Sequence, residues 1–417
     1  MKNYGLLGRK LLHSLSPEIH RELGNFRYEL FEVEPENLDS FFADKSFAGI
    51  NVTFPYKNDV IKYCDEITDA AKKTGSVDII TVDDDGRLIG DNVEYLGFMY
   101  MIKKGGIEVS GRKVLILGSG ANSLTVNTVM QDLGASEIIT ASRNGEINFH
   151  NLYEHSDANI IVNTTNTGIY PNNGEKIIDI TQFPELCGVL ELIYNPRRTR
   201  LICDAEDLEI PNIDGLAMLV EQGYQTEIRF GRISPDEELA RATYKTMSDR
   251  RKNIIFVGMP GCGKTTIAKV IAAKLGRPCI DVGRLVEIRA GMSKADIFMI
   301  YGEVYYRELE SEILKKITRN GGQVIATDSG AVESLKNQYY IRQNGYVVWL
   351  YRPFDELVSN GVHLARNREA LTRIGDVRNP IYKFLADIRI DVTDNAEKTV
   401  SQIINTMQIK ENPSTEY

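Results

Sequence analysis

A chain of 417 residues is too long for one ordinary core and predicts two globular units. Hydrophobic residues at 42% and charged residues at 26% are enough to fill those cores and exclude a largely disordered chain, while a net charge of −9, relieved by no basic run longer than Arg250-Arg251-Lys252, disfavours nucleic acid as a partner. The five cysteines (Cys64, Cys187, Cys203, Cys262, Cys279) form no CxxC pair and none neighbours a His at metal spacing, which predicts reduced thiols and no structural zinc. The first residues lack the apolar core of a signal peptide and no apolar run approaches the ~18 residues that span a bilayer, so a cytoplasmic chain with no membrane partner is expected.

In chain order, the first local signal is Ser16-Pro17, which reads as a helix N-cap with proline in the first turn. The apolar run Lys113-Val-Leu-Ile-Leu117 then enters Gly118-Ser119-Gly120 and a helix-compatible stretch from Ala121 to Gln131. A buried parallel strand that feeds a helix through a glycine turn is the phosphate-binding corner of a doubly wound α/β fold. Ser123 replaces the third glycine of the usual dinucleotide fingerprint. About 20 residues further on, where an Asp or Glu would grip the ribose of NAD, stands Ala141-Ser142-Arg143-Asn144, and an arginine there suits the 2′-phosphate of NADPH/NADP. Gly118, Ser119, Gly120, Ala121, Ser142, Arg143 and Asn144 are therefore candidate cofactor contacts.

A helical stretch from Pro235 to Asp249, with Ser234-Pro235 as its cap, ends in the charged Arg250-Arg251-Lys252 and places the seam between the units near residue 250. Beyond it, Asn253-Ile-Ile-Phe-Val257 runs into Gly258-Met-Pro-Gly261-Cys262-Gly263-Lys264-Thr265, a complete P-loop, and a helix from Lys264 to Leu275. The loop amides point at phosphate oxygens, Lys264 reaches the β- and γ-phosphates, and the Thr265 hydroxyl faces Mg²⁺, so ATP with Mg²⁺ is the expected ligand. Cys262 is a small filler within the loop, and Thr266 joins the nucleotide contacts. The tail from Glu411 to Tyr417 is polar and is expected to fray.

Two resemblances add to this reading. Leu7-Gly8 through His13-Ser14-Leu-Ser16-Pro17-Glu-Ile-His20, Gly49-Ile-Asn51-Val-Thr53-Phe-Pro55-Tyr-Lys57, Asn163-Thr-Thr, Tyr194-Asn-Pro-Arg-Arg-Thr199 and Gly215-Leu-Ala-Met-Leu-Val-Glu-Gln222-Gly223 together resemble shikimate dehydrogenase. That resemblance implies an α/β substrate domain over 1–98, a Rossmann NADP-binding domain over 99–233, and a helix over 234–250 that returns to the first. It implies Lys57 as the acid beside the reacting carbonyl, with Glu94 as its carboxylate partner. Ser14 and Ser16 would bind the substrate carboxylate; Thr53, Asp78, Asn92, Tyr194 and Gln222 would be the other substrate contacts, and Gly215 would lie beside the cofactor. Glu94 is one methylene longer than the family's Asp. Asp78 and Asp214 stand where the family has Asn, and the Asp78 charge is expected to raise the pKa of Glu94 or Lys57 if they are close.

From residue 251 on, Pro278-Cys-Ile-Asp281, Tyr301-Gly-Glu-Val-Tyr-Tyr-Arg307-Glu-Leu-Glu310, Val324-Ile-Ala-Thr with Gly330, and Val377-Arg378-Asn-Pro-Ile-Tyr382 resemble shikimate kinase, implying a P-loop α/β/α domain over 251–417. Asp281 would support the metal with Thr265. Arg307 and Arg378 would grip the substrate carboxylate, Gly330 would approach the substrate, Lys264 and Arg378 would count among the catalytic groups, and Arg368 would serve as the cation of a shortened lid. Two departures fall on the acceptor side: the family's second acid is Gly283, and its triple-glycine turn is Asp328-Ser329-Gly330. Three readings of the chain follow. One is a bifunctional enzyme that reduces 3-dehydroshikimate and phosphorylates shikimate; another is a relative acting on a shikimate analogue; the third is a ligand and nucleotide sensor without turnover. The oligomeric state is not readable from these residues.

Overall fold

Three sheets account for the strands of this computed structural model, which describes residues 3–11, 14–357, 368–393 and 395–408. The described chain divides into two compact units, Met1–Met247 and Ser248–Tyr417, and the division falls within the helix Glu237–Arg251.

The first unit holds two sheets. Strands β1 (Asn3–Gly8), β2 (Glu29–Glu32), β3 (Phe47–Val52), β4 (Glu66–Ile67), β5 (Ile79–Val82) and β6 (Leu88–Asp91) form a mixed sheet in the order β2-β1-β3-β5-β6-β4. β5 is antiparallel to both neighbours. The second sheet, β7 (Lys113–Leu117), β8 (Glu137–Ala141), β9 (Ile160–Asn163), β10 (Gly188–Glu191) and β11 (Asn212–Ile213), has the order β11-β10-β9-β7-β8 and is parallel throughout. Its strands are nearly all apolar because helices cover both faces. Phe98, Val126, Val129 and Met130 pack on one side, and Leu152, Ile178 and Ile202 on the other. The order reverses at β7, where β8 and β9 diverge, so the loop Gly118–Gly120 opens at the crevice that such sheets offer to ligands.

The returning helix, Glu237–Arg251, buries Ala240 and Met247 against Ile19 and Leu23 of the helix Ser16–Gly24 and Leu216, Val220 and Tyr224 of the helix Leu216–Arg229. Its cap differs from the one expected at Ser234. The Asp236 carboxylate accepts from the amides of Glu238 (3.0 Å) and Leu239 (3.4 Å), so the helix starts two residues beyond Pro235. Ser16 is likewise not a cap. It is the first helical residue, and its amide donates to Ser14 Oγ at 3.2 Å.

The second unit is one parallel sheet, β12 (Asn253–Val257), β13 (Cys279–Asp281), β14 (Val324–Ala326), β15 (Gly345–Tyr351) and β16 (Ile388–Asp391), in the order β13-β14-β12-β15-β16. β12 is central and fully buried, and the helix Lys264–Leu275 leaves its end through the P-loop. Side chains alternate between two cores: Ile254 and Phe256 face Ile267, Ile271 and Ile403, whereas Ile255 and Val257 face Val282, Leu314 and Tyr382. Among the described residues no helix is long and apolar enough to cross a membrane, and no group of three or more His, Cys, Asp or Glu could hold a metal.

Candidate active sites

In the first unit a buried ion pair lies at Lys57. Its ammonium donates to both Glu94 oxygens at 2.8 Å and to Asn122 Oδ1 at 3.0 Å, so its three protons are matched by three acceptors. Lys57 and Glu94 are buried, at 8% and 3% exposure. Glu94 opens the helix Glu94–Gly105, where the amide end of the helix favours a carboxylate. Asn122 comes from the first turn of the helix Ala121–Asp132, which follows the glycine loop of the second sheet, so the cluster joins the two sheets of this unit.

Asp78 lies beneath this pair. Its two oxygens accept from the amides of Val93 (2.8 Å) and Glu94 (2.7 Å), fixing the turn that presents Glu94. Burial, reinforced by the charge of Glu94, pushes the Asp78 carboxyl up to about 7 despite Lys57 and the two amides. Asn92 is also built in, since its amide donates to Ser76 O (3.1 Å) and Oγ (3.0 Å) and accepts from the Tyr95 amide (3.0 Å). Ser14 and Thr53 are partly buried. Ser16, also partly buried, has a hydroxyl that makes no hydrogen bond among the described residues. Tyr194 packs against the core around Leu15, and Gln222 lies over Gly97, where a Cβ would come within 2.8 Å of its Cγ.

The glycine loop has the form of an anion cradle. Gly118 has φ +113°, and a Cβ there would meet Thr164 Oγ1 at 2.5 Å. Gly120 has open space where its Cβ would be. The amides of Ser119, Gly120 and Ala121 donate to no acceptor among the described residues and stand at the start of the helix Ala121–Asp132. Arg143 and Asn144 are exposed just beyond β8, with Ser142 partly buried beside them. These residues fit a dinucleotide with an extra phosphate. Gly215 precedes the helix Leu216–Arg229 so closely against the Leu192 carbonyl that no side chain fits.

In the second unit, Gly261 (φ +76°) and Gly263 (φ +97°) shape a loop whose Gly261, Gly263 and Lys264 amides are likewise unengaged among the described residues. Gly258 passes against the Leu350 carbonyl, and the buried Cys262 side chain belongs to the core with Phe256 and Ile267. Lys264 Nζ donates to the carbonyls of Gly258 (2.8 Å) and Met259 (2.9 Å), and Thr266 is exposed. Thr265 Oγ1 donates to Asp281 Oδ2 at 2.6 Å. An exposed hydroxyl beside a carboxylate fits Mg²⁺, which keeps most of its waters and takes one or two protein oxygens besides phosphate.

The turn after β14 organises the far side. Asp328 Oδ2 accepts from Lys294 Nζ at 2.7 Å and from the Tyr306 hydroxyl. Burial works against its charge, but Lys294, Tyr306 and Lys264 together hold the carboxyl below the usual carboxylate range. Ser329 Oγ accepts from Arg378 Nη1 at 3.1 Å, and a Cβ on Gly330 would collide with the Arg307 guanidinium. Arg307 is also held by Glu303 and Glu310, both at 2.9 Å, and Arg378 by Glu333 at 2.5 Å. Burial pushes the Glu310 carboxyl up to about 7 in spite of Arg307. Arg368 opens the helix Arg368–Leu385, but its side chain, expected as the lid cation, lies outside the described residues, as does the tail from Glu411 to Tyr417.

Comparison with known proteins assigns both units. Residues 6–80 match the shikimate dehydrogenase substrate binding domain, and a shikimate dehydrogenase (NADP(+)) of Clostridium beijerinckii is 33% identical over 273 residues, which are 60% of this chain and 100% of that protein. The chain belongs to the shikimate dehydrogenase family. Two solved structures extend the likeness: shikimate dehydrogenase 1 of Peptoclostridium difficile (31% identity, 59% of this chain and 98% of that one, TM-score 0.55) and a chorismate mutase/shikimate 5-dehydrogenase fusion protein of Clostridium acetobutylicum (32%, 60% and 97%, TM-score 0.56). Residues 260–408 match shikimate kinase. The chain is therefore a fusion of a shikimate dehydrogenase with a shikimate kinase, two enzymes of the shikimate pathway.

Several residues that hold the dehydrogenase and kinase sites gave no signal in the sequence. Asn122 sits within the glycine motif, where its contact to Lys57 depends on how the two sheets meet. Glu191, the one charge in the strand Gly188–Glu191, is fully buried and takes hydrogen bonds from Asn163, Thr199 and the Ile193 amide, while burial raises its carboxyl to about 7. It ties together two segments of the dehydrogenase pattern. Asp214, by contrast, is marked in the sequence as a departure from the family's Asn; it binds Arg197 at 2.7 Å and accepts from the Leu216 amide at 2.9 Å, so it secures the start of a helix. Lys294 and Tyr306 are the partners of Asp328 in the kinase unit.

Proposed function

We propose that the first unit reduces 3-dehydroshikimate to shikimate with NADPH, and that the second phosphorylates the shikimate 3-hydroxyl with ATP and Mg²⁺. What supports this most directly is the buried Lys57 ammonium, held by both oxygens of Glu94 and by Asn122. NADPH supplies the hydride when bound. Lys57 binds the ketone oxygen and gives up a proton from Nζ as negative charge develops there, and Glu94 orients the ammonium for that transfer. Asp78 and Asn92 act on the turn that carries Glu94. Ser14 and Ser16 bind the substrate carboxylate, with Thr53, Tyr194 and Gln222 around the ring. Arg143 selects the 2′-phosphate, and the amides after Gly118 hold the pyrophosphate.

In the kinase, ATP and its Mg²⁺ supply the phosphoryl group and neutralise its charge. Lys264 exchanges two backbone carbonyls for phosphate oxygens, Thr265 and Asp281 hold the metal, and Arg307 and Arg378 clamp the acceptor's carboxylate beside Gly330. Fusion in one chain raises the local concentration of the two enzymes.

Separate assays of the full chain test both halves. Lys57→Ala should lower NADPH-dependent reduction of 3-dehydroshikimate by about 10²- to 10⁴-fold and spare ADP release with shikimate. Lys264→Ala should do the reverse. Loss of both activities in either variant, or of neither, would overturn the assignment; shikimate binding without any turnover would favour a sensor.

A further inference from the structure

In the kinase unit, one carboxylate is built for a task that no structural contact explains. A Cβ on Gly283 would lie 2.9 Å from Asp328 Oδ1 and 3.4 Å from its Cγ, so the Asp328 carboxylate fills the space that a side chain at 283 would need. Its two oxygens are treated differently. Oδ2 is pinned by Lys294 and Tyr306, while Oδ1 has no partner among the described residues and is not sealed from solvent. Lys294 is held in turn, lying 4.6 Å from the Tyr306 ring centre and 5.6 Å from that of Phe298. With 21% side-chain exposure, Asp328 is not closed off from solvent.

The neighbours of this edge define its use. Lys264 of the P-loop is close enough to act on the Asp328 charge. The next residues along the same turn meet Arg378 through Ser329 and Arg307 at Gly330. Asp328 thus lies within electrostatic reach of the P-loop lysine, and the two residues that follow it meet the arginines assigned to the acceptor's carboxylate.

We propose that Asp328, through Oδ1, is the residue that binds the acceptor hydroxyl in the kinase reaction and receives its proton, with Lys294 and Tyr306 as positioning residues for Oδ2. The inference rests on the kinase reading above. In the step it serves, the hydroxyl oxygen forms a bond to the γ-phosphorus as the bond from that phosphorus to the β,γ-bridging oxygen breaks. The bonding pair leaves with ADP, and the hydroxyl proton passes to Asp328 Oδ1 and then to water. A carboxylate kept anionic by Lys294 is a weak base, which suits a transfer whose transition state is loose and needs the proton removed late.

The test uses the full chain with a coupled assay for ADP. Asp328→Asn keeps the size of the side chain and should lower kcat with shikimate by about 100-fold. The KM for ATP and the dehydrogenase activity of the same protein should be unchanged. Tyr306→Phe removes one hydroxyl and should lower kcat by about tenfold at constant KM for ATP, a split that simple loss of folding does not produce. The exchange Gly283→Asp with Asp328→Gly returns a carboxylate to the same space, and it should recover at least tenfold over Asp328→Gly alone. Retention of kcat within about threefold in Asp328→Asn, or no recovery in the exchange variant, would overturn the proposal. If the wild type showed no phosphorylation, the kinase reading would fail on its own. Calorimetric binding of shikimate with ADP and Mg²⁺ would then decide the residue: tenfold weaker binding in Asp328→Asn supports it and equal binding rejects it.

Discussion

Replacing Asp78 by Asn separates two things that the aspartate does beneath Lys57 and Glu94. The substitution leaves one oxygen to accept where two now serve the Val93 and Glu94 amides, at 2.8 and 2.7 Å, and turns an NH₂ toward the other amide. Leaving one buried amide without its acceptor costs about 1–3 kcal/mol at any pH. The second effect depends on pH. A folded carboxyl at about 7, against 3.8 in the unfolded chain, holds its proton longer when folded. Its contribution to stability is complete below 3.8 and is lost as pH climbs through 7. Each pH unit in that window is worth about 1.4 kcal/mol, so the roughly two units between pH 5 and 7 cost the wild type roughly 3 kcal/mol that the amide variant does not lose. Urea titrations of the full chain, with the folded first unit counted by pulse proteolysis, should therefore show the variant clearly less stable at pH 5 and level with or above the wild type at pH 8. Glu191 titrates in the same range but is common to both proteins and cancels. A difference that stays constant within about 0.5 kcal/mol from pH 5 to 8 would show Asp78 ionised throughout and refute the reasoning.

Three further outcomes follow from contacts already described. Arg143→Gln should raise the KM for NADPH by about tenfold or more and leave that for NADH within twofold, as expected for loss of one charge-assisted phosphate contact; equal effects on both would remove Arg143 from the cofactor site. Gly330→Ala places a Cβ on the Arg307 guanidinium and should weaken shikimate binding by about tenfold while ATP binding holds, because one carboxylate contact of roughly 1.5 kcal/mol is displaced. Unchanged binding of both would place Arg307 away from the acceptor. Burial lowers the His20 pKa below its ordinary 6.5 despite Glu227, so its contribution to stability is intact above 6.5 and falls as pH drops below it. Stability curves of His20→Gln should lack that acid-side loss, and an identical slope in both proteins would contradict it.

The parts of this fold that sequence displays are those set by local rules. β7 and β12 are apolar runs leading into glycine, and each does feed a helix from an inner strand of a parallel sheet. Helix starts are less legible. Ser16 and Ser234 both precede proline as a cap should, yet the first has its amide held by Ser14 and the second is displaced by Asp236. Competing acceptors a residue or two away decide such cases, and several satisfy the same pattern. Contacts between distant segments leave no local mark at all. Asn122 reaches Lys57 only because two sheets meet, and Glu191 looks like an interruption of a strand until Asn163 and Thr199 close over it.

Asp328 shows why reading position by position fails at the acceptor site. Taken alone, Gly283 removes an acid and Asp328 adds bulk to a turn, and both count as damage. In space they are one change, because the absence of a Cβ at 283 is what admits the carboxylate from 328. A largely desolvated aspartate without partners would be unfavourable there, and Lys294 and Tyr306 supply the charge and the hydrogen bond that offset it. Those partners also consume only Oδ2. Had the carboxylate served structure alone, a second donor for Oδ1 would have cost little to provide, and the site would have closed. Oδ1 remains open beside Gly283, which is the arrangement expected of a group whose last hydrogen bond is left for a substrate.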